Sequence, residues 1–281
     1  MVGVIFMKNK GRFFGKYYKI SNGIDHSLAF ISYIANNKDG LMLLTNNKSY
    51  DLSIEEIKIN DNEFIFNVNK PDLKIKGKIN KYNDVIPKKD IMGIFRYFPI
   101  ECKHNIYSYL SYLKGELMVN NKKIDYSNGR MYIEGDEGRS FPNKYFWING
   151  LDISSSYTCS VATIPLCGRT ILGFFCYLYK LDKVYKFATY NCSKLAMYDN
   201  NLIVLKKRRY RLEIVYEPKI NSAHELKAPN NGEMSRLIRE ALSTVSRVSL
   251  YKGKKLLFTN RYLFTSYERH YSDTLRTVTK I

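Results

Sequence analysis

Long apolar runs are missing from this 281-residue sequence. The longest, such as residues 171–179, fall well short of the ~20 residues that a membrane-spanning helix needs. The N-terminal stretch MVGVIFMKNKGRFF has no basic residue before its brief apolar part and no small-residue cleavage site after it, unlike a secretory signal. We therefore expect a cytoplasmic protein, with peripheral contact at the inner membrane face as a further option.

Several motifs of common enzyme classes are also missing. The sequence has no GxSxG nucleophile elbow and no P-loop, and the glycines of residues 135–138 lack the strand-to-helix context of a dinucleotide fingerprint. The five cysteines never form a CxxC pair, and His26, His224 and His270 show no metal-ligand spacing. These absences remove the usual support for hydrolase, kinase and dehydrogenase functions, and we expect no metal site.

Acidic residues are scarce relative to basic ones, with 26 Asp and Glu against 45 Lys and Arg and a formal net charge of +19. Anionic membranes and nucleic acids both offer dense negative charge to such a protein. The 24 tyrosines are dispersed rather than gathered on one basic strand pair, so nucleic-acid binding has no specific support. The alternative is a composition bias that only places charge on solvent-exposed faces.

What the sequence does contain is a series of short runs rich in Ile, Val, Leu, Tyr and Phe, separated by turn signals such as Asn46-Asn47, Asn120-Asn121 and Lys252-Gly253. This pattern predicts an antiparallel all-β protein. One segment differs. Its apolar residues fall at helical spacing after a cap at Asn230, which predicts one short amphipathic helix near residues 233–243. Those apolar residues are Met234, Leu237, Ile238, Ala241 and Leu242.

A weak internal repeat divides the chain in two. FGKYYKI followed by SLAFISYI is similar to KYFWIN followed by SVATIP, each reading as an aromatic strand, a turn and an apolar strand that begins with serine. We therefore expect two β modules, residues 1–144 and 145–281, packed closely because no Gly, Ser or Pro linker separates them. Chance similarity between strand-rich sequences is the alternative.

The stretch YIEGDEGRSFPNKYFWIN, residues 132–149, gathers carboxylates and aromatic residues. We expect a strand ending at Glu134, a turn over residues 135–138, and a new strand on which Tyr145, Trp147 and Asn149 share a face. A carboxyl group at such an apolar mouth is desolvated, which raises its pKa and makes it a proton donor near neutrality. The alternative is a solvated turn in which a carboxylate pairs with Arg139.

This stretch, E-x-D-x-G-x-S-F-P followed by an aromatic pair and tryptophan, resembles the signature of the tocopherol cyclase family, whose plant members carry E-K-N-W-G-x-x-F-P and then W-x-W-x-Q. IMGIFRYFPIECKHNIYSY before it, and SVATIP, FATY and APNNGEMSRLIREAL after it, resemble further blocks of bacterial members in similar order. The resemblance runs from about Phe14 to about Glu268. The sequence departs from the family at Lys16, at Glu137 and at Asn149-Gly150.

The resemblance implies two lipocalin-like antiparallel β-barrel or sandwich modules with an apolar cavity for a prenylated or polycyclic substrate. In such enzymes an acid protonates a trisubstituted alkene and a phenol oxygen captures the cation, without any cofactor. Carried over to this sequence, Asp136 or Glu134 would be the acid, and further residues would contact the substrate. These further residues are Trp147, Tyr145, Asn149, Arg139, Phe141 and Tyr18. The alternative is a non-catalytic carrier of hydrophobic ligands that docks on anionic membranes; no obligate protein partner is evident.

Glu101 and His104 form a second candidate pair. They are three residues apart, so on a regular strand they would lie on opposite faces, and a direct catalytic pair needs a bulge. The pKa of a histidine suits proton transfer near neutrality. The alternative for His104 is a hydrogen-bonded packing residue beside Tyr107 and Tyr109.

Overall fold

The computed structural model describes residues 11–46, 48–166, 168–217 and 224–270. The beginning of the N-terminal stretch and Asn47 of the predicted Asn46-Asn47 turn lie outside these ranges. Within them, no helix has the length and apolar character needed to cross a bilayer.

The described residues form twenty β-strands and two short 3₁₀ helices, Gly93–Tyr97 and Thr189–Asn191. The strands of the first half are β1 Phe13–Ser21, β2 Ser27–Ala35, β3 Lys38–Leu44, β4 Ser49–Leu52, β5 Ile57–Ile59, β6 Glu63–Asn69, β7 Lys74–Val85, β8 Cys102–Val119, β9 Lys122–Asp125 and β10 Arg130–Gly138. Those of the second half are β11 Tyr145–Leu151, β12 Ser155–Leu166, β13 Arg169–Lys180, β14 Lys183–Ala188, β15 Lys194–Tyr198, β16 Leu202–Lys207, β17 Tyr210–Tyr216, β18 His224–Asn230, β19 Glu233–Lys252 and β20 Lys255–His270.

These strands form two antiparallel ten-stranded sheets with matching order. The first runs β4-β3-β2-β1-β10-β8-β7-β6-β5 with β9 beside β8, and the second runs β14-β13-β12-β11-β20-β19-β17-β16-β15 with β18 beside β19. In each sheet the first strand in sequence lies in the middle, paired with the last. The all-β prediction is confirmed, and the chain passes from one sheet to the other between Gly138 and Tyr145.

Each sheet wraps around an apolar core of its own, and two further clusters contain residues of both sheets. One joins Tyr132 to Leu151 and Tyr177, and the other joins Tyr17 to Trp147. Because these clusters remove apolar surface of both sheets from water, burial holds the two halves of the molecule together.

The predicted helix near residues 233–243 is wrong. These residues belong to β19, which pairs with β18 on one side and β20 on the other, so the backbone hydrogen bonds of neighbouring strands replace those of a helix. Leu237 is 60% exposed, whereas Ile238 and Glu240 are buried. The register of β19 against β20 shifts after Ala241, and the adjacent residues Ala241 and Leu242 are both buried. Two adjacent buried residues break the alternation of a regular strand, which is why the sequence resembled a helical pattern.

The predicted turn over residues 135–138 is also wrong, because β10 continues to Gly138. Gly135 pairs with Lys16 on one side and Asn105 on the other. Glu134 and Asp136 therefore lie two residues apart on a strand and project from the same face.

Candidate functional site

A cavity of about 170 Å³, partly open to solvent, is lined by residues of both sheets. Most of its lining is apolar or aromatic. The ionisable side chains that line it include Glu134, Asp136 and His104 of the first sheet, and Glu240 and Glu268 of the second. Such a combination of an apolar wall with a few convergent polar groups is typical of a small-molecule site.

His104 lies between two carboxyl groups of β10. Its Nδ1 is 3.0 Å from Oδ1 of Asp136, and its Nε2 is 3.3 Å from Oε2 of Glu134. Only the first contact has hydrogen-bond geometry. Burial disfavours the imidazolium, but Asp136 and Glu134 outweigh it and raise the pKa of His104 to about 10. His104 is therefore positively charged at neutral pH and stacks on Phe175, with ring centroids 5.0 Å apart.

Glu134 is held by donors from both sheets. Its Oε2 accepts hydrogen bonds from the hydroxyl of Tyr132 and from Nε1 of Trp147, the latter at 3.3 Å. Thr158 donates in turn to the Tyr132 oxygen at 2.9 Å. An oxygen with two donors directed at it is fixed as an acceptor, so Glu134 is placed to balance the charge of His104.

Glu268 differs from Glu134 in its surroundings. It is buried, it lines the cavity, and its Oε1 has no hydrogen-bond partner among the described residues. Burial, followed by the nearby charges of Asp136 and Glu134, raises its pKa well above the usual value. The protonated form of this side chain is therefore favoured, and one of its oxygens is left for a ligand to contact.

Glu240 is a second buried acid in the cavity wall. The hydroxyl of Tyr17 donates to its Oε1 at 3.0 Å and lies 3.1 Å from the hydroxyl oxygen of Ser266. Burial raises the pKa of Glu240 to about 8, although the Tyr17 hydrogen bond and the positive charge of Lys19 oppose this shift. At neutral pH Glu240 is thus mostly protonated.

Corresponding positions of the two sheets meet at this cavity. Tyr17 on β1 is paired with Glu134 on β10, and Trp147 on β11 is paired with Glu268 on β20. The rings of Tyr17 and Trp147 contact each other. The matching topology therefore brings Glu134 and Glu268, which occupy equivalent positions in the two sheets, to one cavity. Their environments differ, and in enzymes such a difference gives two carboxyl groups different catalytic roles.

Lys19 fixes the sheets to each other beside this site. Its buried ammonium donates to the carbonyl and side-chain oxygens of Asn149, at 3.1 and 3.2 Å, and to the carbonyl of Phe264 at 2.9 Å. Burial lowers the pKa of Lys19 to about 7, with Glu240 and Glu134 opposing the shift. Lys19 is not among the cavity-lining residues of the described chain, so it supports the site from behind.

The structure brings most of the predicted site residues together at the cavity. Those that line it are Asp136, Glu134, Glu101, His104, Trp147, Tyr145 and Phe141. Glu101 is exposed at its rim, and Tyr145 has a buried hydroxyl without a partner among the described residues. Among the residues that the structure describes, no group of three or more His, Cys, Asp or Glu side chains could hold a metal ion.

Three predicted substrate contacts lie elsewhere. Asn149 is buried behind the cavity against Lys19 and Thr158. Tyr18 lies in the core of the first sheet, stacked on Phe30 with ring centroids 4.8 Å apart. Arg139 is exposed. The arginine that pairs with a carboxylate of residues 132–149 is Arg96, which lies 3.1 Å from Glu137.

Sequence reasoning missed Glu240, Glu268 and Tyr17. The helical interpretation placed Glu240 on the polar face of a helix. On a strand, Glu240 shares a face with the buried Ile238, and this two-residue alternation could have indicated that Glu240 is buried. Glu268 lies near the end of β20, in SYERH, and no motif marks it. Its importance depends on pairing between β11 and β20, which are far apart in sequence.

The sequence matches no protein-family model and no curated protein. Solved structures do match. The structure of CghA with Sch210972 superposes with a TM-score of 0.58 over 94% of this chain and 89% of that chain, at 8% identity. Kievitone hydratase from Nectria haematococca gives a TM-score of 0.51 over 94% of this chain and 90% of that chain, also at 8% identity. The chain thus has the lipocalin-like all-β fold of these proteins.

Proposed function

We propose that this protein is a cofactor-independent enzyme that catalyses a proton-initiated cyclisation, isomerisation or hydration of an apolar substrate in the cavity between the sheets. The observation that carries the proposal is Glu268, a buried carboxyl group that lines the cavity with an unpartnered oxygen and whose pKa is raised by that burial. The shared fold with a protein named as a hydratase is consistent with it.

The chemistry begins with transfer of the Glu268 proton to one carbon of an alkene. The acid O–H bond breaks, a C–H bond forms, and a carbocation remains on the neighbouring carbon. Trp147, Phe175 and Tyr17 line the cavity, and their aromatic rings stabilise that transient positive charge by cation–π attraction.

Capture of the cation completes the reaction. In a ring closure, a hydroxyl oxygen of the substrate forms the C–O bond and loses its proton; in a hydration, water does so. Asp136 has a side chain only partly buried and is the acceptor for this proton, while His104 at 3.0 Å balances its charge. Return of a proton to Glu268 restores the starting state, so neither an oxidant nor a cofactor is consumed.

For the substrate we propose a prenylated quinol that closes to a chromanol. Residues that carry the resemblance to tocopherol cyclases, including Glu134, Asp136, Phe141 and Trp147, line the cavity. The volume of about 170 Å³ is similar to that of a void that holds one benzene-sized ring, of about 150 Å³. The ring end of the quinol fits this space, and a longer prenyl chain leaves through the open side.

The test measures chromanol formation from a prenylated benzoquinol in deuterated water. Wild-type protein is expected to give a product with one deuterium on carbon, and Glu268→Gln is expected to lower kcat by about 100-fold or more. Glu137→Gln is the matched control, because Glu137 lies on the same strand as Glu134 but pairs with Arg96 outside the cavity lining. Undiminished turnover by Glu268→Gln contradicts the assignment of the acid.

A carrier of hydrophobic ligands is the second candidate. The observation in its favour is that His104 is already paired with Asp136 and lies 3.3 Å from Glu134, so the cavity can hold an apolar molecule without chemistry. Mass spectrometry of organic extracts from the purified protein identifies the ligand class. A wild-type protein that binds the quinol and returns it unchanged is a carrier.

A further inference from the structure

Three turns of the second sheet form one surface that the catalytic proposal does not use. The turn between β16 and β17 and the turn between β19 and β20 are joined by a hydrogen bond from the Gly253 amide to the Arg209 carbonyl, 2.8 Å long. The turn between β13 and β14 adjoins them, since Lys180 Nζ lies 4.0 Å from the ring centroid of Phe258. We call this surface the basic tip.

The basic tip is strongly positive. KKRRYR, residues 206–211, and KGKKLL, residues 252–257, contain no acidic residue. Arg208, Arg209, Lys254 and Lys255 are exposed. Asp182 lies in the third turn, and it accepts a hydrogen bond from Tyr179 at 3.1 Å. A concentration of cations of this kind attracts a dense array of negative charge.

Large apolar side chains are exposed on the same surface. Leu181 is 69% exposed, Leu256 is 47% exposed and Leu257 is 36% exposed. Leu181 follows Lys180 in the sequence, and Leu256 and Leu257 follow Lys255. Exposed leucines among lysines gain little from water or from a phosphate backbone, but they can leave water by entering the acyl boundary of a bilayer while the lysines contact headgroups.

We propose that the basic tip docks the protein on an anionic lipid bilayer. Leucines are inserted below the headgroups, and the Arg and Lys side chains contact lipid phosphates. The tip lies at the end of β19 remote from Glu240, separated from it by roughly 40 Å of extended strand at about 3.3 Å per residue. Docking therefore leaves the cavity free to take up an apolar molecule. The proposal is independent of the catalytic one, since it concerns no cavity residue.

The test is co-sedimentation of the full chain with vesicles of phosphatidylcholine alone and with an equimolar mixture of phosphatidylcholine and phosphatidylglycerol. Wild-type protein is expected to bind the mixed vesicles, and binding is expected to weaken as salt increases. Replacing Arg208, Arg209, Lys254 and Lys255 together by alanine is expected to lower the partition constant by roughly 100-fold or more, because each cation near such a surface contributes about fivefold.

Two further variants make the test specific. Leu256→Ser with Leu257→Ser keeps every charge and is expected to weaken binding about tenfold or more through lost apolar contact. Alanine at Lys58, Lys74, Lys76 and Lys114 removes as many exposed charges from the first sheet and is expected to change binding less than threefold through long-range attraction alone. Unchanged thermal unfolding shows that each variant is folded.

The proposal is overturned if wild-type protein does not bind the mixed vesicles, or if the control variant loses as much binding as the variant of the tip. It is also overturned if the leucine variant binds normally while duplex DNA competes fully with vesicles, because the surface then recognises phosphate backbones.

Discussion

Tyr17 and Trp147 meet edge to face where the two sheets join, with ring centroids 5.5 Å apart and planes inclined by 78°. Each ring donates a hydrogen bond to a carboxyl group of the opposite sheet: Tyr17 of the first sheet to Glu240, and Trp147 of the second sheet to Glu134. These two hydrogen bonds couple the packing of the sheets to the positions of Glu240 and Glu134. A substitution that alters the packing is therefore expected to move these carboxyl groups as well.

Removing the Tyr17 hydroxyl is expected to destabilise the protein. Tyr17→Phe keeps the ring contact with Trp147 but leaves buried Glu240 without its donor, which costs about 1–3 kcal/mol of unfolding free energy. Urea unfolding measures this loss. Tyr97→Phe is the control, because Tyr97 is 89% exposed and the same change there is expected to cost less than about 0.5 kcal/mol. Equal effects of the two substitutions would refute the role of the Tyr17 hydroxyl.

Trp147 is the only tryptophan of the chain, so its fluorescence reports on the cavity wall without background. We expect emission typical of a buried indole and a saturable change when a prenylated quinol or another apolar probe binds. Glu268→Gln is expected to show the same saturable change, since it removes the acid and keeps the cavity. If calorimetry detects binding that leaves the emission unaltered, the ligand lies outside this cavity.

The charge of His104 predicts a specific pH dependence of stability. Its folded-state pKa of about 10 exceeds the usual 6.5. Its contribution is therefore complete below pH 6.5 and is lost as the pH rises towards 10, by up to about 1.4 kcal/mol per pH unit. Unfolding measured across this interval should show a wild-type advantage over His104→Gln that declines with pH. An advantage that grows with pH would mean that His104 is neutral in the folded protein.

Gly135 is expected to tolerate no side chain. A Cβ there would lie 2.4 Å from the carbonyl oxygen of Gly15, so Gly135→Ala must displace β10 between Glu134 and Asp136. We expect a loss of about 1–3 kcal/mol in urea unfolding and a change in Trp147 emission. Gly15→Ala is the matched control, because its Cβ would meet Tyr33 at an ordinary 3.7 Å. Loss of stability in Gly15→Ala alone would contradict this assignment.

The sequence was sufficient for the features that depend on local pattern. Turn residues and apolar runs predicted the strands, and the stretch ending in Trp147 pointed to Glu134 and Asp136. The same local rules failed at β19, where pairing with β18 and β20 overrides a helical pattern. They could not find Glu268, because its neighbours across the sheets are distant in sequence and no motif marks it. The pKa of Glu268 is raised by burial, and the burial of this side chain depends on how the two sheets pack together.

The neutral state of Glu268 is the central claim, and infrared spectroscopy at pH 7 tests it without a substrate. Wild-type protein is expected to show the carbonyl stretch of protonated carboxylic acids. Part of this band should disappear in Glu268→Gln, and a second part, which titrates near pH 8, should disappear in Glu240→Gln. A wild-type spectrum that contains only ionised carboxylates at pH 7, or a protonated band that Glu268→Gln leaves unchanged, would contradict the account.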